Sequence, residues 1–346
     1  MNDKFDEVFE ALQKLDPDIR RISDIDDVDA ISTGLPWVDF VIGVGGIPYG
    51  RITEIFGVES IGKTTLALYV LAEAQKQDKV CAFIDTEYAI SPDHMDACGV
   101  DKDRLIFLQP NSAEDALDSL MSMAEAGVDA VVLDSVATML PRAEAESDAG
   151  KAHMALIARL MSQAMRKLPG VLKKNNTAAI FINQLRSTMS TTPWGPKEVT
   201  TGGAALRYNA SVRLRLTSGG KIKATGNTGA AVGHKVRVTT VKNKVGVPKR
   251  TAMFSIMYQQ PIQRESNLLE VSKELGIISS RGGHYYIVDT ATGEQVEKLA
   301  HGEANAIVRL REEPELYDKI LSNVLADTDK LKLGYFSEVK GEALDD

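Results

Sequence analysis

"GVESIGKTT", residues 57–65, fits G-x-x-x-x-G-K-[ST], with Gly57, Gly62, Lys63 and Thr64 in the fixed positions. Two glycines permit a tight backbone path that turns successive N–H groups into one hollow. Lys63 then reaches the β- and γ-phosphates of a nucleotide, and the Thr64 hydroxyl ligates Mg²⁺. The context agrees with this reading. "RITEIFG" (51–57) reads as a strand before the loop, and "TTLALYVLAEAQK" (64–76) as a helix after it. Glu59, Ser60, Ile61 and Thr65 fall in the same loop and count with it as nucleotide-binding positions. The stretch predicts a nucleoside triphosphate site and leaves open what the nucleotide drives.

Outward from the loop, β and α patterns alternate. "VCAFIDTE" (80–87), "DAVVLDS" (129–135) and "AAIFINQ" (178–184) are near-continuous apolar runs, as expected of parallel strands buried on both faces. "NSAEDALDSLMSMAEAG" (111–127) has a polar start and Gly127 at its end, the signature of a helix. The alternation predicts an α/β core over residues 32–262, a mostly parallel twisted sheet flanked by helices. "SVRLRL" (211–216) and "HKVRVTTVKNK" (234–244) alternate more strictly and read as an antiparallel extension. Residues 1–31 form a helix and linker. The helix, with Phe5, Val8, Phe9, Leu12 and Leu15 at helical spacing, docks on its own core or on a neighbouring subunit. Residues 263–330 read as a smaller α/β domain, and 331–346 as an acidic tail.

The net charge of −8 hides a strong segregation. Residues 149–264 hold 20 of the 40 Lys and Arg and one acidic residue, Glu198. One face built for polyanions and an acidic remainder are expected. The alternative is a segregated but merely solvated surface. Cys81 and Cys98 are unclustered, which fits a reducing cytosol with neither metal site nor disulfide framework. No run of about 18 apolar residues exists, and the first residues are charged and acidic, so a cytoplasmic protein without a membrane partner is expected.

Asp134 closes the run "DAVVLDS" at the carboxyl end of a buried strand, where an acid holds the Mg²⁺ shell. Past another strand end, Glu87 is placed to orient and deprotonate an attacking water, and Asp85 competes with it. Gln184 ends "FINQ", where a neutral amide can sense a γ-phosphate. It sits at the root of a long polar connection, "LRSTMSTTPWGPKEVTTGG" (185–203), and could couple nucleotide state to loop order. "HMALIARLMSQAMRKL" (153–168) puts Arg159, Ser162 and Arg166 on one helical face. That face suits phosphates, or is a solvated face with snorkelling arginines. Lys242 and Lys244 close an extended run. They are surface charges, or they reach a neighbour's nucleotide in trans.

With these pieces in order, the chain resembles the bacterial and phage RecA-type DNA recombinases from about Ile31 to Glu315. The likeness is carried by "ISTG", "GGIPYGRITEIFG", "ESIGKTTLAL", "CAFIDTE", "VVLDSVA", "HMALIARLMSQAMRKL", "FINQ", "TTGGAALRY", "ASVRL", "VKNK" and "GEANA". The resemblance implies a DNA-dependent ATPase that uses ATP and Mg²⁺. It implies a helical homopolymer on single-stranded DNA that pairs it with homologous double-stranded DNA and exchanges strands. Glu87 rather than Asp85 matches the family's catalytic glutamate, and Asp134 its metal-associated aspartate. Gln184 matches the sensing glutamine, and Lys242 and Lys244 the lysines acting across the interface. The segments Ser147–Met154 and Arg186–Thr201 match the two DNA-binding loops. Met154, Arg159, Ser162, Arg166, Arg186, Met189, Gly202, Gly203, Ala204 and Arg207 fall on or beside DNA-contacting positions. Ser91 and His94 stand where the family usually has an aspartate and a tyrosine against the adenine, and His94 can still stack. Ile61 replaces a usual serine but keeps its backbone N–H. A ring-forming helicase or branch-migration motor on the same core is the alternative. A small-molecule kinase would need an acceptor pocket and an arginine-bearing lid, which the polar stretch after Gln184 does not supply.

Overall fold

Apolar β-rich runs and amphipathic helices alternate along the chain, and in the computed structural model they close into a layered α/β core. The structure describes residues 3–24, 27–145, 154–187, 198–223, 231–258 and 263–326. In chain order the first elements are α1 (Asp3–Leu15), β1 (Ala30–Ile31), α2 (Pro36–Ile42), β2 (Ile47–Pro48) and β3 (Ile52–Gly57). Next come α3 (Lys63–Lys76), β4 (Cys81–Asp85), α4 (Pro92–Ala97), β5 (Leu105–Leu108), α5 (Ala113–Glu125) and β6 (Ala130–Asp134). They are followed by α6 (Arg142–Ala145), α7 (Met154–Asn175), β7 (Ala178–Ser187), β8 (Glu198–Thr200), α8 (Ala204–Asn209) and β9 (Val212–Lys223). The hairpin β10 (Ala231–Asn243) and β11 (Thr251–Met257) completes the core. Beyond it lie α9 (Arg264–Glu274), β12 (Ile278–Arg281), β13 (His284–Val288), β14 (Gln295–His301), α10 (Glu303–Glu312) and α11 (Pro314–Ala326).

Nine strands make one sheet in the order β11-β10-β9-β3-β7-β6-β4-β5, with β8 paired to β7. The four strands expected from the apolar runs are β3, β4, β6 and β7, joined in parallel in the order β3-β7-β6-β4. The expected antiparallel extension is present in β9, β10 and β11, and what the expectation did not include is how "SVRLRL" joins the core. As β9 it runs parallel to β3 and antiparallel only to β10, because the α8 crossover returns the chain in the direction of β3. The strand β5 lies outside the expected set. Its short "LIFL" run sits at the sheet edge with Ile106 and Phe107 exposed, and four residues give little periodicity to detect.

One apolar layer packs α2, α3 and α4 against the sheet, with Leu66, Leu68, Leu71 and Phe83 fully buried. The opposite layer packs α5 and α7, through Leu120, Met161, Leu168 and Phe181. A third cluster, Leu268, Leu269, Ile287, Leu310 and Ile320, belongs to the C-terminal elements, and Trp37 and Phe40 of α2 pack against it. On α1, Phe5, Val8, Leu12 and Leu15 are exposed, and the Arg21 guanidinium lies over the Phe5 and Phe9 rings.

A buried ion pair crosses the centre of the sheet. Glu54 on β3 has 0% of its side chain exposed, Arg213 on β9 has 11%, and the two are bonded. Arg213 also stacks over Phe56, 4.4 Å from the ring centroid. Removing one partner leaves the other charge buried and uncompensated, which costs about 3–5 kcal/mol. Arg213→Leu should therefore destabilise the fold by that much, read from denaturant unfolding. A loss below about 1 kcal/mol would contradict that cost.

Candidate nucleotide site and nucleic-acid interface

Parallel strands carry ligands beyond their carboxyl ends, and here those ends converge. Gly57 is in register with Gln184 across β3 and β7, and Asp85 with Asp134 across β4 and β6. Between β3 and α3 the loop turns through Ser60 at φ 56° and Gly62 at φ 100°. Gly57 is required by close approach, since a Cβ there would meet the Leu216 carbonyl oxygen at 2.5 Å. At Gly62 a Cβ would meet Ile256 Cδ1 at 2.3 Å as well as demanding left-handed backbone.

A cleft of about 270 Å³ opens over this loop. Glu59, Ser60, Gly62, Lys63, Thr64, Thr65, Glu87, His94, Asp134 and Gln184 line it, all of them expected from sequence. His234 and Ile256 also line it, and the sequence reading does not include them. They arrive on the β10–β11 hairpin, where they are cross-strand partners. Only a turn signal between two strand patterns hints at this. Gly57 and Ile61 are not among the described residues lining the cleft. Ile61 is a core residue, so only its backbone is left for the ligand side. A larger groove of about 560 Å³, between Trp37, Met253 and Glu270, carries none of these residues.

Within the cleft, Lys63 Nζ donates to the Val58 carbonyl at 2.8 Å. Burial holds the Lys63 ammonium below its usual pKa, while Asp134, Glu87 and Glu59 pull it back up. Thr64 Oγ1 donates to Asp134 Oδ2 at 2.5 Å. The other Asp134 oxygen, Oδ1, is buried without a partner. Burial, with Glu87 and Asp85 nearby, pushes the Asp134 carboxyl up to about 7. An orphaned oxygen on an acid crowded by acids, bonded to a threonine hydroxyl, is a donor set that fits a hard divalent cation.

Glu87 Oε1 accepts from Ser135 Oγ at 2.8 Å and from Gln184 Nε2 at 3.1 Å. Asp85 is differently employed. Its Oδ1 accepts from the backbone N–H of Glu87 and Tyr88, and its Oδ2 from Gln109 Nε2. It shapes the turn that presents Glu87. Thr65 Oγ1 and His94 Nε2 lie 3.2 Å apart, and Ser91 caps α4 by accepting from the His94 N–H.

On the far side of β7 the basic residues collect. Arg159, Ser162 and Arg166 are exposed along α7, while Met161, Ala164, Met165 and Leu168 of the same helix are buried. Arg186 is exposed where β7 and β8 form an antiparallel stem, Leu185 opposite Thr200. Gly202 and Gly203 follow in left-handed backbone, packed so closely that a Cβ would meet Val136 at 2.7 Å and Ala158 at 2.9 Å. They bring Ala204 and Arg207 of α8, both exposed, beside α7. Met154 opens α7. Met189 and residues 147–153 lie outside the described residues, as does the whole connection 188–197 between β7 and β8.

Lys242 and Lys244 are not among the described residues lining the cleft. Lys244 is exposed. Lys242 Nζ donates to the Arg207 and Tyr208 carbonyls at 2.9 and 2.8 Å, capping the end of α8. No local signal in the chain points to that bond.

Fold and cleft define a phosphate-loop nucleotide-binding α/β core with a basic, glycine-hinged face on the next strand. The chain belongs to the RecA family: the family model for the RecA N-terminal domain matches residues 17–263. RecA of Rubrobacter xylanophilus is 47% identical over 298 residues, covering 86% of this chain and 83% of that protein. RecA of Colwellia psychrerythraea is 43% identical over 323 residues, covering 91% and 89%. A crystal structure of the RadB recombinase matches 66% of this chain and 96% of its own, at 27% identity and a TM-score of 0.48. The chain is thus a recombination protein, a DNA-dependent ATPase with strand-exchange activity, and the ring-motor alternative is not favoured. Family membership implies nucleotide binding with a divalent metal, DNA binding and self-assembly. Among the described residues no helix is long and apolar enough to cross a membrane.

Proposed function

We propose that the nucleotide is ATP, bound with Mg²⁺, and that it drives a helical homopolymer on single-stranded DNA which then engages a homologous double strand. One observation carries this reading. The strand that carries Gln184 at the cleft continues, without a break, into the stem beside the basic face. In this reading the loop amides and Lys63 hold the phosphates. Thr64 and Asp134 hold the Mg²⁺, which when bound neutralises phosphate charge. Glu87 accepts the proton of the attacking water, a role supported by its place on the cleft wall and by the full occupation of Asp85. His94 lies against the base, and Gln184 reads the γ-phosphate. Lys242 and Lys244 complete a neighbour's site, a role supported by the exposure of Lys244 beyond the end of β10.

DNA lies along Met154, Arg159, Ser162, Arg166, Arg186, Gly202, Gly203, Ala204 and Arg207, and Met189 counts with them. Residues 1–31 dock on the next subunit, 32–262 form the motor core, 263–330 the C-terminal domain and 331–346 an acidic tail. The setting is the cytoplasm, of a bacterium or of a phage's host.

Turnover measured with and without single-stranded DNA, together with electron microscopy, tests this. DNA should stimulate hydrolysis, and ATP with DNA should give open helical filaments. Closed rings, or turnover indifferent to DNA, would contradict it.

A further inference from the structure

Asn183 stands beside the sensor Gln184, yet belongs to neither the cleft nor the basic face. It is fully buried, and its amide bonds β3, its own neighbour on β7 and the segment between β8 and α8. Its Nδ2 donates to Glu54 Oε1 at 3.0 Å and to the Thr201 carbonyl at 2.9 Å. Its Oδ1 accepts from the Gln184 N–H at 2.9 Å. Both partners of Nδ2 can only accept, so the amide has a single orientation here: flipping it would set oxygen against oxygen twice. Glu54 is itself held by Arg213, which anchors the amide to the central strands β3 and β9.

Successive residues of a strand point to opposite faces. Gln184 therefore looks into the cleft while Asn183 looks to the other side. That side is where Thr201 leads into the Gly202–Gly203 turn and α8. One carboxamide side chain thus bonds both the sensor's own backbone N–H and the carbonyl before that turn.

Resting on the functional reading above, we propose that Asn183 is a positioning residue for the ATPase. It locks the backbone of the γ-phosphate sensor to the start of the α8 turn, so that a shift of Gln184 is passed directly to the DNA face. The described stem residues and α8 suffice for this link.

The test uses full-length Asn183→Asp and the double variant Glu54→Gln/Asn183→Asp. In the single variant two carboxylates face each other and the Thr201 carbonyl loses its donor. In the double variant the amide placed at position 54 can donate to the carboxylate placed at position 183. The Gln184 N–H keeps its acceptor, but the Thr201 carbonyl still has no donor. We expect the double variant to recover part of the melting temperature lost by the single one, short of the share owed to the unpaired Thr201 carbonyl. It should bind a fluorescent ATP analogue within about twofold of wild type, yet show at least about tenfold less turnover stimulated by single-stranded DNA. Such a split between nucleotide affinity and stimulated turnover is not what a merely structural defect produces. A folded double variant with wild-type stimulation overturns the proposal.

Should neither variant fold, hydrogen exchange on the wild-type protein decides. The analogue should slow exchange of residues 184–187 and 198–203 together. Slowing of the first segment alone overturns the proposal. Wild-type turnover that DNA leaves unchanged would instead sink the functional reading itself, and the two failures are distinguishable.

Discussion

Lys63→Ala should abolish nucleotide-dependent assembly and cut ATP turnover by on the order of 10³-fold or more, the scale of losing a charge-stabilising cation in phosphoryl transfer. Lys63 is the one cation in the loop 57–65, and it is buried against Val58, with Asp134 and Glu87 among the acids that act on it. Without it, the phosphates would face Glu59, Glu87 and Asp134 with only backbone N–H groups in compensation. The side chain bonds a loop carbonyl rather than packing in the core, so the variant should keep its circular dichroism spectrum. Turnover measured beside that spectrum checks the expectation. A folded variant that hydrolyses ATP at the wild-type rate would end the phosphate-loop assignment.

Glu87→Gln should separate binding from hydrolysis. The amide oxygen can still accept from Ser135 Oγ and Gln184 Nε2, as Glu87 Oε1 does now, so the cleft keeps its shape. What the amide cannot do is take the water's proton, a contribution of about 10²–10⁴-fold. Filaments formed with ATP on single-stranded DNA should then persist instead of turning over. Light scattering over time, beside phosphate release, reads both. Normal hydrolysis by this variant would move the base elsewhere, although Asp85, with both oxygens already bonded, is poorly free to take over.

How much of this is legible in the sequence depends on the distance over which the chemistry is written. The phosphate loop, Asp134, Glu87 and Gln184 each announce themselves within a few residues, because strand ends and glycine-bounded turns have local signatures. Parallel pairing of β3, β4, β6 and β7 follows from unbroken apolar runs. The parallel joining of β9 to β3 does not, since strict alternation reads the same in a parallel or antiparallel partner, and the short α8 before it shows no period. His234 and Ile256 reach the loop from a hairpin far along the chain. Asn183 binds Glu54 and Thr201, and Lys242 binds the carbonyls of α8. No spacing rule connects such pairs. The acidic residue inside the apolar "RITEIFG" is the available hint that a buried partner exists.

In the proposed assembly each active site is finished by the next subunit, and co-assembly tests this most directly. Lys244→Ala supplies an intact loop and Glu87, while Glu87→Gln supplies intact lysines. Each alone should be nearly inactive. In an equimolar head-to-tail polymer, about a quarter of the interfaces pair a good loop with good lysines. The mixture should therefore regain a comparable fraction of wild-type turnover, and only under conditions that allow assembly. If the two variants co-polymerise and no activity returns, Lys244 does not act across the interface and the site lies within one chain.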